Sequence, residues 1–373
     1  MTVKPPTNEN ASPMAWNTAI STLEPQLLYR GYPADELASS SHFPETAYLL
    51  ITGDLPTDEQ LADWQALLHG AMTLPPALVK WLQRVPTEAN ATDVLLAALA
   101  REPLRDSDDA PDAGLSLADH FPVWLGRIAA LTAAWRRLGR GSSPVEPHSE
   151  LSFASNLWCL LEGHEPPAWL ERVLDTLLIL GAEHGFTPAT LSVRMAAAMG
   201  SSFSSALLAG VSVARGPQCA GAPAEVLGVL HAVRTPDRAE NWVRTTLERQ
   251  GRVPGFRHRV YRVGDPRTES LSAICRVVAE RTGRSDREPL AAAIEQAVWD
   301  QAQLLPALSW SVARILDNLG LEPDLFAPLY VISRLAGWMA HFAEQKSQPQ
   351  SPVIRQIYTG PTIRHHRPLS ETA

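Results

Sequence analysis

Apolar residues recur at three- and four-residue spacing along most of the chain, which is the period of an amphipathic helix. After Pro166-Pro167 such a face is formed by Leu170, Val173, Leu174, Leu177 and Leu178. A cap residue followed by proline predicts a second helix start at Thr235-Pro236, with Gly251 as its end. A third helix is predicted between Pro289 and Pro306. Alternating strand patterns are scarce, so the pattern predicts a predominantly helical chain.

Two long apolar stretches, Thr190–Ala214 and Asp324–Gln345, carry too many polar residues for membrane spans and are predicted to be buried helices. The segment Ala196–Ala214 is rich in Ala, Ser and Gly, which indicates either tight core packing or a helix–helix dimer interface. The second stretch contains Arg334. A charge in a core helix must be paired with a carboxylate or must face a ligand.

Composition narrows the class of protein. The chain has 373 residues, enough for roughly two domains, and its net charge is −8. An acidic balance argues against partners such as nucleic acid or an anionic membrane surface. The three cysteines are far apart, so neither a disulfide framework nor a structural zinc site is expected. The polar N-terminus 1–14 lacks the apolar region of a signal peptide, and a cytoplasmic location is predicted.

One segment is basic within this acidic chain. Five arginines and His258 lie within sixteen residues, at Arg252, Arg257, Arg259, Arg262 and Arg267. Guanidinium groups bind carboxylates and phosphates bidentately, so the cluster indicates either a small-anion site or a solvated basic loop. Composition alone favours the loop. It likewise favours a hydrogen-bonded core histidine at His184.

Several motifs in this order resemble the citrate synthase family, which includes the 2-methylcitrate synthases. The resemblance covers the chain from about Ala15 to Pro361 and is poor only over 73–139. The motifs are LYRGYP (28–33), FPETAYLL (43–50), GDLPT (53–57), LSFASN (151–156) and SRLAGWMAHFAEQ (333–345).

The resemblance implies an all-α fold in an intertwined homodimer. It implies a large domain formed by 15–220 and 321–373, a smaller mobile domain formed by 221–320, and a flexible N-terminus at 1–14. Members condense an acyl-CoA with a 2-oxo acid, so the implied partners are a coenzyme A thioester as co-substrate, a dianionic 2-oxo acid and a second subunit. The family needs no metal.

Matched position by position, the oxo-acid site is largely retained. His184 matches the histidine that hydrogen-bonds the oxo acid, and His258 matches the one that polarises its ketone. Arg267 and Arg334 match two binding arginines, and Arg355 matches the arginine that reaches the partner subunit's site. Three arginines suit a dianion. The resemblance thus reverses the composition-only interpretation of Arg267 and Arg334.

The reaction machinery departs from the family. Cys219 stands where the motif GPLHGGAN has the histidine that stabilises the enolate oxygen, since the chain reads GPQCAGAP here. Counting back from Gly320 puts Ser309 at the aspartate that removes the α-proton. Arg257 replaces a glycine in the loop that contacts the CoA adenine, where Gly255 is retained.

Losing a base and an enolate donor, each worth on the order of 10² to 10⁴ in rate, should leave citrate synthesis very slow. Three hypotheses follow. The chain is a repurposed carbon–carbon bond-forming transferase for an oxaloacetate-like acid or a phosphonate analogue, with a carbanion formed by decarboxylation or by another base. Alternatively, it is a ligand-binding or regulatory pseudoenzyme. In the third hypothesis Cys219 is a nucleophile, against the simpler reading of an apolar filler.

Overall fold

The computed structural model describes residues 16–101, 117–216, 219, 222–256, 258, 260–261, 264–348 and 359–360. Within them the chain forms sixteen α-helices and three two-residue strands, which confirms the all-α prediction. The strands β1 (Ser21–Thr22), β2 (Leu28–Tyr29) and β3 (Tyr32–Pro33) pair antiparallel in that order.

The helices, in chain order, are α1 (Ala34–Ser40), α2 (Phe43–Thr52), α3 (Asp58–Ala71), α4 (Pro76–Leu82), α5 (Ala91–Arg101), α6 (Leu117–Gly139), α7 (Phe153–Glu162), α8 (Ala168–Ala182), α9 (Pro188–Ala198), α10 (Phe203–Ala214), α11 (Ala222–Val233), α12 (Ala239–Gln250), α13 (Arg267–Arg281), α14 (Glu288–Ala302), α15 (Leu308–Asn318) and α16 (Phe326–Ser347). Short 3₁₀ turns at Pro236–Arg238, Ser285–Arg287 and Pro323–Leu325 precede α12, α14 and α16. Every helix in these ranges is too short or too polar to span a bilayer.

Helix α16 lies at the centre of the core, packed against α2, α6, α8 and α9. Its apolar positions are buried on all sides, as expected for an interior helix. Ser333 Oγ donates a hydrogen bond to the carbonyl oxygen of Leu178 in α8 at 2.7 Å. A Cβ at Gly181 would overlap that hydroxyl, so glycine permits the close approach of the two helices. This contact places Arg334 beside the C-terminal end of α8, where His184 follows.

The predicted helix boundaries hold with two differences. Helix α8 begins directly after Pro166-Pro167, and α12 ends at Gly251 in the left-handed conformation (φ 67°). The start predicted at Thr235 is a 3₁₀ turn that leads into α12. Helix α14 ends at Ala302, before the predicted stop at Pro306, because Gln303 is already left-handed (φ 52°).

The apolar stretch 190–214 is two helices rather than one. Gly200 adopts a φ of 80°, and the Ser202 side chain accepts a hydrogen bond from the Ser205 backbone N–H, so α10 starts anew. A Cβ at Gly210 would lie 2.8 Å from Cγ2 of Val193, which shows tight packing between α10 and α9. A dimer interface on this segment stays a prediction.

Helices α11 to α15 pack mainly on one another. They correspond to the segment 221–320 predicted as the smaller domain. Its independence and mobility stay predictions, as does the boundary of the large domain. The N-terminal segment 1–14 lies outside the described residues.

Candidate functional site

Three side chains form a histidine cluster: His184 after α8, and His258 and Tyr261 in the connection between α12 and α13. The His184 and His258 rings are 5.0 Å apart between centroids, and Tyr261 stacks on His258 at 4.5 Å. His184 Nε2 lies 3.0 Å from the Tyr261 hydroxyl. The structure therefore brings together two histidines that are distant in the sequence and were both predicted to bind substrate.

The surroundings of both histidines favour the neutral form of the imidazole ring. Nδ1 of His258 accepts backbone N–H bonds from Val260 at 3.1 Å and Tyr261 at 3.2 Å, which places the ring proton on Nε2. Burial lowers the pKa of His258, and Asp265 offsets only part of that effect. Burial, followed by the charges of Arg267 and Arg334, strongly lowers the pKa of His184. At neutral pH, His258 can thus donate a hydrogen bond from Nε2 to a carbonyl oxygen.

Arg267 is held rigidly at the start of α13. Its Nε and Nη2 donate to both carboxylate oxygens of Asp265 at 2.9 and 2.6 Å, and Nη1 donates to the Leu180 carbonyl at 3.4 Å. Burial alone would raise the pKa of Asp265, but the Arg267 charge and hydrogen bonds lower it below its usual value. Three of the five guanidinium N–H groups are thereby used, and the remaining donors are preoriented.

Arg334 is buried and makes no ion pair among the described residues, although its charge acts on the buried Glu183 carboxylate. Its side chain lies in α16 at 2% exposure, and neither Nε nor Nη1 has a hydrogen-bond partner in the described part of the chain. The guanidinium carbon lies 5.3 Å from the centre of the Tyr330 ring. Because an unpaired buried cation is costly, the arrangement favours the ligand-facing interpretation over a buried ion pair.

Cys219 and Tyr330 form what we call the thiol–phenol pair. The Cys219 thiol donates to the Tyr330 hydroxyl at 3.7 Å, and Tyr330 is one helical turn before Arg334. Burial raises the pKa of Tyr330, while the Arg334 charge opposes that rise. The thiol is half-buried and packs against the core. Its hydrogen bond goes to a phenol and not to a base, which supports the filler interpretation more than the nucleophile.

The other predicted site residues are less closely connected. Ser309 is half-buried in the first turn of α15, and its side chain makes no hydrogen bond to the described members of the site. The Gly255 carbonyl accepts the Ala307 N–H at 2.8 Å, which ties its loop to the start of α15. Arg257 and Arg355 lie outside the described residues.

Ligand atoms of His184, His258 and Asp265 lie within 4.8 Å of one another, close enough to hold a metal ion geometrically. The electrostatics do not suit a cation. Both Asp265 oxygens are used by Arg267, and the Arg334 charge acts on the same cluster. Two cationic guanidinium groups and neutral imidazole donors instead suit an anion with a carbonyl group.

A buried polar network holds the loop that carries His184 in place. Glu183 Oε1 accepts from Ser21 Oγ at 3.0 Å, from the Gly185 N–H and from His341 Nε2 at 3.1 Å. His341 Nδ1 accepts in turn from Arg194 at 3.0 Å. Burial would raise the pKa of Glu183, but His341 and the other partners lower it overall. The network fixes the backbone on either side of His184.

The same network requires glycine at position 337. A Cβ on Gly337 would lie 2.6 Å from the Ala182 carbonyl oxygen and closer still to Glu183 Oε2. Gly337→Ala is therefore expected to lower the free energy of unfolding by about 1–3 kcal/mol through overpacking. Gly228→Ala in α11 is the matched control, because nothing lies within 4 Å of its added methyl group. It should stabilise by about 0.5–1 kcal/mol. Urea unfolding measures both, and equal effects would contradict the close approach.

Tyr261, Asp265 and Tyr330 were not predicted as site residues. Asp265 could have been found from its place two residues before Arg267, where a carboxylate can reach the guanidinium. Tyr330 could have been found from its i, i+4 spacing with Arg334, which puts both on one helix face. The Tyr261–His184 contact, 77 residues apart, leaves no local signal.

Comparison with known proteins identifies the family and the fold. The family model described as "Citrate synthase, C-terminal domain" matches residues 12–356. The glyoxysomal citrate synthase of Cucurbita maxima is 33% identical over 366 residues, covering 92% of this chain and 71% of the relative. The 2-methylcitrate synthase of Shewanella oneidensis is 29% identical, covering 95% of each chain.

Among solved structures, citrate synthase from Thermotoga maritima MSB8 superposes with a TM-score of 0.84 at 26% identity, covering 95% of each chain. A ternary complex of carboxymethyl coenzyme A and oxaloacetate with the Thermoplasma acidophilum citrate synthase gives a TM-score of 0.88 over 97% of each chain. At 22% identity, that second likeness is evidence of fold alone.

Proposed function

Because the chain belongs to the citrate synthase family, we propose that it is a repurposed acyl-CoA:2-oxo acid transferase that forms a carbon–carbon bond. Its acceptor is a dianionic 2-oxo acid, oxaloacetate-like or a phosphonate analogue. It is not an efficient citrate synthase. The proposal includes a homodimer in which Arg355 completes the partner's site, a metal-free reaction and a cytoplasmic location.

The observation that carries the proposal is the unpaired, buried guanidinium of Arg334 beside the histidine cluster. A carboxylate of the oxo acid would pair with Arg334 and a second acidic group with the free donors of Arg267. The His258 Nε2–H would then donate to the ketone oxygen. Such charge-assisted bonds are the strong ones in a dry site.

The acyl donor follows from what the site lacks. Ser309 has no carboxylate with which to remove an α-proton at neutral pH, so acetyl-CoA would react slowly. A malonyl-type thioester needs no such base. Its bond to the carboxylate breaks, CO₂ leaves, and the electron pair forms the thioester enolate. The enolate carbon attacks the ketone carbon, and the alkoxide takes the Nε2 proton of His258. Water then hydrolyses the thioester to a carboxylate and the CoA thiol, and the proton that this step releases returns to His258.

The adenine end of CoA is assigned to the loop that contains Gly255 and Arg257. Gly255 has a φ of 87°, and a Cβ there would lie 2.9 Å from both Trp310 and Val226. The loop backbone is therefore held against α15 and α11. Arg257, by its chemistry, would supply charge for a CoA phosphate.

The test is a thiol-release assay with mass analysis of the products. Acetyl-, propionyl- and malonyl-CoA are paired with oxaloacetate, 2-oxoglutarate, pyruvate and phosphonopyruvate. We expect thiol release that depends on one dianionic acceptor and on malonyl-CoA, with a condensed product of matching mass. A His258→Ala variant is the control, because it lacks the ketone donor and should release little thiol.

Ser309 and Cys219 stand at the positions of the aspartate and the histidine that carry out enolisation in the family. Their presence is also compatible with a ligand-binding pseudoenzyme. Silence across the panel, together with measurable oxaloacetate binding by calorimetry, would favour that second function. Silence with no oxo-acid binding would contradict both.

A further inference from the structure

We infer that the Tyr330 hydroxyl is the hydrogen-bond donor to the thioester carbonyl oxygen as that oxygen becomes an enolate. Tyr330 would thus be a catalytic residue that takes over the role for which Cys219 is unsuited. The inference rests on the proposed function and identifies a further group in the same site.

The first argument is position. Cys219 stands where the motif resemblance places the enolate-stabilising histidine, and the Tyr330 oxygen lies 3.7 Å from the Cys219 sulfur. A thiol is short and a weak donor, so it leaves part of the space of an imidazole to its neighbours. The phenol oxygen reaches the same region from α16. It is the strong donor nearest to the vacated histidine position among the described contacts of Cys219.

The second argument is the weakness of the hydrogen bond between Tyr330 and Cys219. Among the described residues the Tyr330 hydroxyl meets the Cys219 sulfur at 3.7 Å, which is a weak donor and a weak acceptor, so no strong acceptor holds the Tyr330 proton. That proton is therefore available to a ligand. The raised pKa of Tyr330, caused by burial, keeps the phenol protonated at neutral pH. It acts as a donor, and it is unsuited to be the base that Ser309 fails to provide.

The third argument is charge. Arg334 lies against the Tyr330 ring, with 5.3 Å between the guanidinium carbon and the ring centre. A nearby fixed cation favours the growth of negative charge on an oxygen held by the phenol. Whether the enolate arises by decarboxylation or by proton removal, the donor's role is the same. A hydrogen bond to the oxygen lowers the barrier without any net proton transfer to it.

Carboxymethyl-CoA is a suitable probe, because it carries an anionic oxygen near the sulfur as an enolate does, while CoA lacks one. Calorimetry with oxaloacetate present compares both ligands on the wild type, Tyr330→Phe and Cys219→Ala. We expect Tyr330→Phe to weaken carboxymethyl-CoA binding by about 10- to 100-fold, the effect of a bond to a charged group, with CoA affinity unchanged. Cys219→Ala should retain affinity for both ligands. In turnover, Tyr330→Phe should lower kcat by about 10²- to 10³-fold with little change in KM.

Tyr48→Phe is the matched control, since it removes a phenol oxygen from a ring packed on Trp64, outside the site. Unchanged carboxymethyl-CoA affinity in Tyr330→Phe would overturn the inference, and so would an equal loss for both ligands, which indicates a structural effect. Loss in Cys219→Ala but not in Tyr330→Phe would make the thiol the donor. If the wild type binds oxaloacetate but not carboxymethyl-CoA, the proposed transferase fails and the inference with it. If the wild type binds carboxymethyl-CoA and Tyr330→Phe binds it equally well, the inference fails and the transferase stands.

Discussion

Replacing Arg334 with methionine is expected to reduce oxaloacetate affinity by roughly 30- to 5,000-fold while leaving the ligand-free protein equally or more stable. The affinity falls because a carboxylate would be buried opposite an apolar side chain, a loss of about 2–5 kcal/mol. The stability is expected to hold, because Arg334 makes no ion pair among the described residues, and its longer-range attraction to Glu183 offsets little of the cost of burying the charge. Replacing an unpaired buried cation with an apolar chain of similar length removes a desolvation penalty.

Arg314→Met gives the matched contrast. Arg314 is also buried, but it is paired with Glu288 and with Glu295, the latter at 3.0 Å. Its loss should lower the melting temperature without changing oxaloacetate affinity, since its partners lie on α14 and are not members of the histidine cluster. Calorimetry and thermal unfolding, with and without oxaloacetate, measure both variants. Full affinity in Arg334→Met would remove Arg334 from the binding site.

Restoring histidine at 219 and aspartate at 309 together is expected to raise citrate formation from acetyl-CoA and oxaloacetate by about 100-fold or more. The carboxylate supplies the base that Ser309 lacks, and the imidazole supplies a strong donor. Either single variant should gain little, because groups that act as a unit are not additive. The measurement is citrate quantified by mass, with Cys219→His/Ser309→Asn as the control that keeps size but lacks the charge.

The thiol–phenol pair adds a condition to that experiment. An imidazole is longer than a thiol, and the Tyr330 oxygen lies only 3.7 Å from the Cys219 sulfur. The triple variant that also carries Tyr330→Phe clears this space and should be at least as active as the double variant. If neither produces more citrate, the site has diverged at further positions.

Much of the fold followed from local patterns. The 3.6-residue spacing after Pro166-Pro167 predicts α8, and the unbroken apolar run predicts the buried helix α16. The break between α9 and α10 was not predicted, because Gly200 and Ser202 lie within a run of small residues that helices tolerate. Their effect depends on the left-handed backbone at Gly200, which is a property of the folded chain.

In the site, too, some features were predictable from the sequence and others depended on the folded chain. His184, His258, Arg267 and Arg334 were predicted through motif resemblance, and composition alone had favoured ordinary structural roles for them. The contact between Cys219 and Tyr330 joins residues 111 positions apart, so no local pattern contains it. The bidentate pairing of Arg267 with Asp265 likewise depends on the turn before α13. The residue types of the site were therefore predictable from the sequence. Long-range packing determines which of their polar groups remain free to bind a ligand.

The first described residues make contacts with buried side chains in the interior of the protein. The Ala19 N–H donates to Glu344 at 2.8 Å, Ser21 donates to Glu183, and the Arg194 guanidinium carbon lies 5.2 Å from the centre of the Trp16 ring. Glu183 in turn holds the loop that carries His184. An affinity tag or a chain end placed near residue 16 is thus expected to disturb the contacts that support the site. Proteolytic removal of these residues would change the position of the loop that carries His184.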